Sequence, residues 1–254
     1  MVDEVLVERR DGVLLVTINR PQARNALTRA VAEEVAAAAD ELDADDGLRV
    51  GVLTGTGSIF SAGMDLKGFL RGETPSIPGR GLCGITQTPP RKPLIAAVEG
   101  WALAGGFELV LACDLVVAAE TARFGVPEVK RSLVAAAGGA LLLPTRVPAN
   151  VAMEMLLTGD PIDARRAAEV GLVNRLTPEG GALEGALALA ATVAANGPLA
   201  LAATKAVVRG SAGWGPEERW ERQAELVAPV MASEDAREGA AAFAEKRSPV
   251  WRGR

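Results

Sequence analysis

The first half of the chain is built on apolar runs too short to be helices and bounded by turn residues. Val13 to Asn19, Arg49 to Thr54, Pro93 to Val98 and Leu115 to Ala118 are four such runs. Runs of this length, almost free of charge, fit strands buried on both faces. Val5 to Glu8 and Val13 to Asn19 form a predicted hairpin around Asp11-Gly12, a favoured tight-turn pair. Thr28 is a predicted N-cap for a helix to about Asp43, and a second helix is predicted from Gly105 to Cys113. Gly100 to Gly106 reads as a Gly-rich turn, Arg123 to Pro127 as extended chain, and 71–92 as a mobile loop or broken helix near a ligand. From Ala149 onward the pattern is helical, over 149–157, 163–169, 182–196, 198–209, 216–231 and 233–246. Strands with helices first and a helical tail afterwards predict an α/β core with a C-terminal helical region.

The residue inventory excludes several kinds of chemistry. There is no His, so no Ser-His-Asp or Cys-His site and no His-ligated metal centre can exist. The two cysteines, Cys83 and Cys113, match no zinc or redox spacing. Acid–base work therefore falls to Glu, Asp or Lys. The net charge of −5 and the lack of a dense Lys/Arg run argue against nucleic acid as a partner. Met1 to Arg10 has no apolar signal core and no run long enough to span a membrane is present, so a cytoplasmic, membrane-free protein is expected. Aromatics make up 4% with no Tyr, which leaves the core to Ala, Val and Leu.

Three segments can carry chemistry. In Phe60-Ser61-Ala62-Gly63-Met64-Asp65-Leu66, a Gly after a strand lets the backbone approach a ligand, and the Met64 N–H can point into a cavity. The bland alternative is a surface turn. In Gly100-Trp101-Ala102-Leu103-Ala104-Gly105-Gly106-Phe107-Glu108, a Gly pair opens a helix, where free N–H groups and the positive dipole end collect. The bland alternative is close packing. Glu108 lies in the apolar run FELVLAC, as either a solvated cap or a carboxylate in an apolar pocket. Phe124-Gly125-Val126-Pro127-Glu128-Val129 supplies a second Glu in an extended, apolar setting, and it could equally be an exposed loop acid. Two carboxylates with two backbone donors suffice for proton transfers beside a carbonyl.

Together these segments resemble the crotonase (enoyl-CoA hydratase/isomerase) family. The resemblance starts at INRPQARNALT and continues through VLTGTGSIFSAGMDLK and KPLIAAVEGWALAGGFELVLACDLVVAAETARFGVPEV. It then covers MEMLLTGDPIDARRAAEVGLVNRL and FAEKRSPVWRGR. It implies a crotonase-like ββα spiral core over 1–195 and a C-terminal helical oligomerisation region over 196–254. It further implies a homotrimer or homohexamer, with Trp214, Trp220 and Trp251 available for the interface. The implied activity is that of an enoyl-CoA hydratase, a lyase adding water across the 2,3 double bond of an acyl-CoA thioester. No metal or separate cofactor is implied, since coenzyme A belongs to the substrate. By motif, the amides of Met64 and Gly105 would bind the thioester oxygen. Glu108 would activate water and Glu128 would protonate C2. Glu108, near a helix N-terminus, is the expected ionised member. Arg24 matches a position near the CoA phosphates, Ala62, Asp65 and Leu66 would offer backbone contacts to the adenine, and Lys246 matches a C-terminal Lys that helps hold CoA, sometimes across a subunit boundary.

The chain departs from the family pattern after the second Glu. Val134-Ala135-Ala136-Ala137-Gly138-Gly139 replaces a common Ile-Pro-Gly-Ala-Gly-Gly, and Lys130-Arg131-Ser132 is more polar than usual. A polar or branched acyl group, as in carnitinyl-type relatives, follows from that. The competing expectations are a carnitinyl-CoA-type dehydratase, an enoyl-CoA isomerase, or a non-catalytic acyl-CoA-binding paralogue.

Overall fold

The computed structural model describes residues 3–254. A six-stranded sheet follows chain order: Val5–Arg10, Val13–Ile18, Val50–Gly55, Leu94–Val98, Leu115–Ala119 and Arg175–Thr177. The first pair is antiparallel and the others are parallel. A smaller sheet orders Ile162–Asp163, Arg123–Gly125 and Trp101–Leu103. Twice a large-sheet strand runs through a tight turn into a small-sheet strand: Leu94–Val98 into Trp101–Leu103, and Leu115–Ala119 into Arg123–Gly125. Helix Gly105–Ala112 follows the first pair. This repeat is the expected ββα spiral.

The large sheet is buried on both faces because its side chains alternate between two cores. Leu14, Val16 and Ile18 point into the larger core with helix Arg29–Ala44 and helix Gly105–Ala112. Val13, Leu15, Val50, Val52, Ile95 and Val117 point the other way, onto Ala186, Leu189 and Ala190 of helix Ala182–Ala194. Small side chains on that helix let it lie close to the sheet. Thr28 caps helix Arg29–Ala44 as expected, its side chain accepting from the Val31 N–H at 3.1 Å.

Several expectations need correction. The segment 71–92 is not a loose loop. It contains the hairpin Ser76–Ile77 with Gly81–Leu82, and Leu82, Cys83 and Ile85 are buried in the main core. Trp101–Leu103 is a strand rather than part of a turn, because the small sheet recruits it. Glu128 lies in a 3-10 turn, Pro127–Arg131, rather than in extended chain. Helix Gly139–Arg146 was hidden by Pro144 inside it. Among the described residues no single helix is long and apolar enough to cross a membrane.

The tail forms helices Pro198–Ser211, Arg219–Ala232 and Glu234–Glu245. The first two bury no residue completely within the chain. Trp251 packs on Gly197 and Gly239 and donates its Nε1–H to the Ala195 carbonyl at 2.7 Å, so it serves this chain's own packing. Trp220 is 68% exposed. Asp114 ties the tail to the core: it pairs with Lys205 at 2.6 Å and Arg209 at 2.8 Å and accepts from the Leu94 N–H at 2.8 Å. Burial pulls the Lys205 ammonium below its usual range despite this partner. Replacing Asp114 by Ala leaves that ammonium buried without a counter-charge. The expected loss in urea unfolding is about 3–5 kcal/mol, against less than about 1 kcal/mol for an exposed pair such as Arg166–Glu169.

Candidate active site

Two loops meet at the start of helix Gly105–Ala112. The FSAGM turn is held from below by buried Asn25, whose Nδ2 donates to the carbonyls of Thr56 at 3.0 Å and Ile59 at 2.6 Å. The Ser61 hydroxyl donates to the Asn25 carbonyl at 2.8 Å and accepts from the Gly63 N–H at 3.1 Å. On either side of Met64, the Leu27 N–H donates to Gly63 and the Asp65 N–H donates to Leu27, both at 2.9 Å. Alternation along this short parallel bridge turns the Met64 N–H to the opposite side. Among the described residues that N–H has no partner, and neither has the Gly105 N–H at the first turn of its helix.

Both donors face one cleft because the loops touch. A Cβ on Gly106 would sit 2.4 Å from the Ser61 carbonyl oxygen, and one on Gly63 would sit 2.9 Å from the Leu103 carbonyl oxygen. Ala104 takes φ 50° and ψ −128°, a backbone state that side chains rarely adopt, and this aims the following amide into the cleft.

The cleft holds about 530 Å³ and is lined by Met64, Gly105, Glu108 and Glu128 together with apolar side chains such as Leu82, Leu103 and Val134. Glu108 is 3% exposed and accepts from the Gly139 N–H at 2.8 Å. Burial pushes its carboxyl up to about 7, the Gly139 and Ala137 amides oppose the rise, and the nearby charge of Glu128 adds to it. Glu128 is half-buried, and desolvation raises its pKa as well, opposed by its own backbone amide and by Arg131. Its Oε2 is buried without a hydrogen-bond partner. Burial thus works against the ionised state expected of Glu108. Desolvation in the apolar helix outweighs the dipole at the helix start, while Glu128 keeps more water and a cation nearby.

Arg24, Ala62 and Leu66 line the same cleft. Arg24 has φ 53°, and its guanidinium makes no hydrogen bond or ion pair among the described residues. Asp65 does not line it. Its N–H is used by Leu27, and its carboxylate caps the Lys67 and Gly68 amides and accepts from Arg20 at 3.2 Å, which holds its pKa low. Lys246 ends helix Glu234–Glu245, exposed and away from the cleft of its own chain. Sequence reasoning overlooked Asn25, Ser61 and Ala104 as shapers of the site. Asn25 and Ser61 stand inside quoted motifs, but their bonds join segments about 36 residues apart. For Ala104 no residue-type signal exists, since a positive φ is normally read from Gly.

The description "Enoyl-CoA hydratase/isomerase" matches residues 8–254 of this chain. The chain belongs to this family. Among relatives, the enoyl-CoA hydratase EchA19 of Mycobacterium tuberculosis is 41% identical over 99% of this chain and 97% of its own. A carnitinyl-CoA dehydratase of Citrobacter koseri is 41% identical over the full length of both. The crystal structure of enoyl-CoA hydratase EchA1 from Mycobacterium marinum superposes with a TM-score of 0.98 at 56% identity, covering both chains completely. The fold is thus that of the enoyl-CoA hydratases.

In this family member the amide pair and the acid pair share one cleft, so each has a separable test. Gly106→Ala must separate the helix start from Ser61. The expected result is loss of at least about 100-fold in turnover, with the variant still folded by circular dichroism. Glu108 has a folded value above its unfolded one, so the stability linked to its extra proton is complete below about pH 4.5 and is lost as pH rises through about 7. A shift of that size corresponds to about 3 kcal/mol. Glu108→Gln should therefore raise the melting temperature relative to the parent more at about pH 8.5 than at about pH 5.

Proposed function

We propose that the chain hydrates the 2,3 double bond of an enoyl-CoA thioester. The observation that carries this reading is the convergence of two unpartnered main-chain amides and two carboxyls on one apolar cleft, with Glu128 Oε2 lacking any internal partner. The thioester oxygen lies between the N–H groups of Met64 and Gly105. As the oxygen of water bonds to C3, the C2=C3 electrons move toward the carbonyl, and the amides hold the enolate charge that forms. The two acids work as a coupled unit that carries one proton. The ionised member takes the proton lost by water, the neutral member gives its proton to C2, and the pair ends with the proton exchanged between them.

Arg24, Ala62 and Leu66 form the CoA side of the cleft in this reading, with the Asp65 backbone carbonyl beside them. Lys246 takes part only from a neighbouring subunit of a homotrimer or homohexamer. The exposed Trp220, Met231 and Phe243 on the tail support such an assembly. CoA enters as part of the substrate, and the chemistry needs no metal and no further cofactor.

The identity to carnitinyl-CoA dehydratases supports a second reading, in which the same residues run the elimination of water from a hydroxyacyl-CoA. Both readings need both acids, whereas double-bond migration needs one proton shuttle. Glu108→Gln and Glu128→Gln should each lower kcat for crotonyl-CoA hydration by about 100- to 10,000-fold, with KM changed far less. Near-normal turnover in either variant removes that residue from the reaction. Migration that survives in both variants assigns the cleft to isomerisation.

A further inference from the structure

We infer that Arg131 selects enoyl-CoA esters whose short acyl chain ends in a carboxylate, an inference that rests on the hydration reading above. Glu128 and Arg131 are three residues apart in the 3-10 turn Pro127–Arg131. In a 3-10 turn side chains at that spacing eclipse one another, about 6 Å apart along the axis. Both therefore face the cleft, and both line it. No ion pair joins them, and among the described residues the Arg131 guanidinium makes no hydrogen bond or salt bridge at all. It stays exposed at the cleft wall, so an anion meeting it there keeps part of its hydration.

The cleft has two cations, and their positions divide the work. Arg24 lies beside Ala62 on the side of the SAGMD turn, where the CoA phosphates need counter-charge. Arg131 lies one turn past Glu128 with Leu133 and Val134 next to it, and unlike Arg24 it does not line the adjoining hollow formed with Ile59, Ala62 and Trp101. A wholly apolar acyl chain would bring nothing to a guanidinium there. A terminal carboxylate two or three carbons beyond the alkene can make a bidentate pair with it. The same surroundings disfavour a quaternary ammonium tail. Among the described residues Phe69 is the only aromatic lining the cleft, so no aromatic cage surrounds a cation there, and the guanidinium of Arg131 repels one that approaches it.

The test compares crotonyl-CoA, its 4-carboxy analogue and its 4-trimethylammonio analogue on the parent protein and on Arg131→Met. The parent should favour the carboxylated ester by kcat/KM and be poorest with the ammonium ester. In Arg131→Met the ratio of carboxylated to neutral ester should fall by about 10- to 100-fold, mostly through KM. Calorimetry with the saturated esters glutaryl-CoA and butyryl-CoA reads binding alone, and Arg131→Met should weaken only the former. An unchanged ratio in both assays overturns the role of Arg131 and leaves hydration standing. A binding difference without turnover of any ester keeps the role of Arg131 and overturns hydration.

Discussion

The close approach of two loops governs everything else in the structure. The helix that begins at Gly105 can meet the FSAGM turn only because Gly106 presents no Cβ to the Ser61 carbonyl. That contact brings the Met64 and Gly105 amides to one cleft, and it depends on a network reaching back to Asn25 and the end of the hairpin. Ala104 contributes a strained backbone where Gly would be free. The strain is tolerated because its N–H is held by the Gly125 carbonyl at 2.9 Å and the following helix is buried throughout. Packing thus sets the place of both N–H groups, and strain and the helix dipole act on that of Gly105.

The acids show the opposite side of that arrangement. Glu108 occupies a helix position that an apolar residue would fill with gain in stability. Its isolation from water is what lifts its carboxyl toward neutrality. The Gly139 amide, donating at 2.8 Å, keeps it from being fully unsatisfied. The VAAAGG segment therefore does more than line the cleft: its last glycine is the direct partner of Glu108. A site that holds a proton near neutral pH is obtained at a cost in stability, as is usual where function opposes packing.

Much of this was legible in the residues. The four short apolar runs are four of the five parallel strands of the large sheet, and the helices after Ala149 lie within a few residues of their predicted ends. Local signals such as the Thr28 cap and the Asp11-Gly12 turn act over a few residues and so survive in the sequence. What was not legible depends on distant partners. Trp101–Leu103 becomes a strand because Arg123–Gly125 lies beside it. The segment 71–92 has loop composition, yet burial of Leu82 and Ile85 fixes it. The raised carboxyl of Glu108 runs against the expected ionised state because it is set by depth of burial, which a helix start alone does not reveal. The Asp65 carboxylate caps the next helix and binds Arg20, which lies 45 residues away and so left no local signal.

The central claim is that two main-chain amides polarise a thioester carbonyl in this cleft. The difference infrared spectrum of an enoyl-CoA isotopically labelled at its carbonyl, bound to the protein, reports that polarisation directly. The account predicts a carbonyl band moved to lower frequency than in free solution, as two hydrogen bonds weaken the C=O bond. A bound carbonyl absorbing at its solution frequency or above would contradict it.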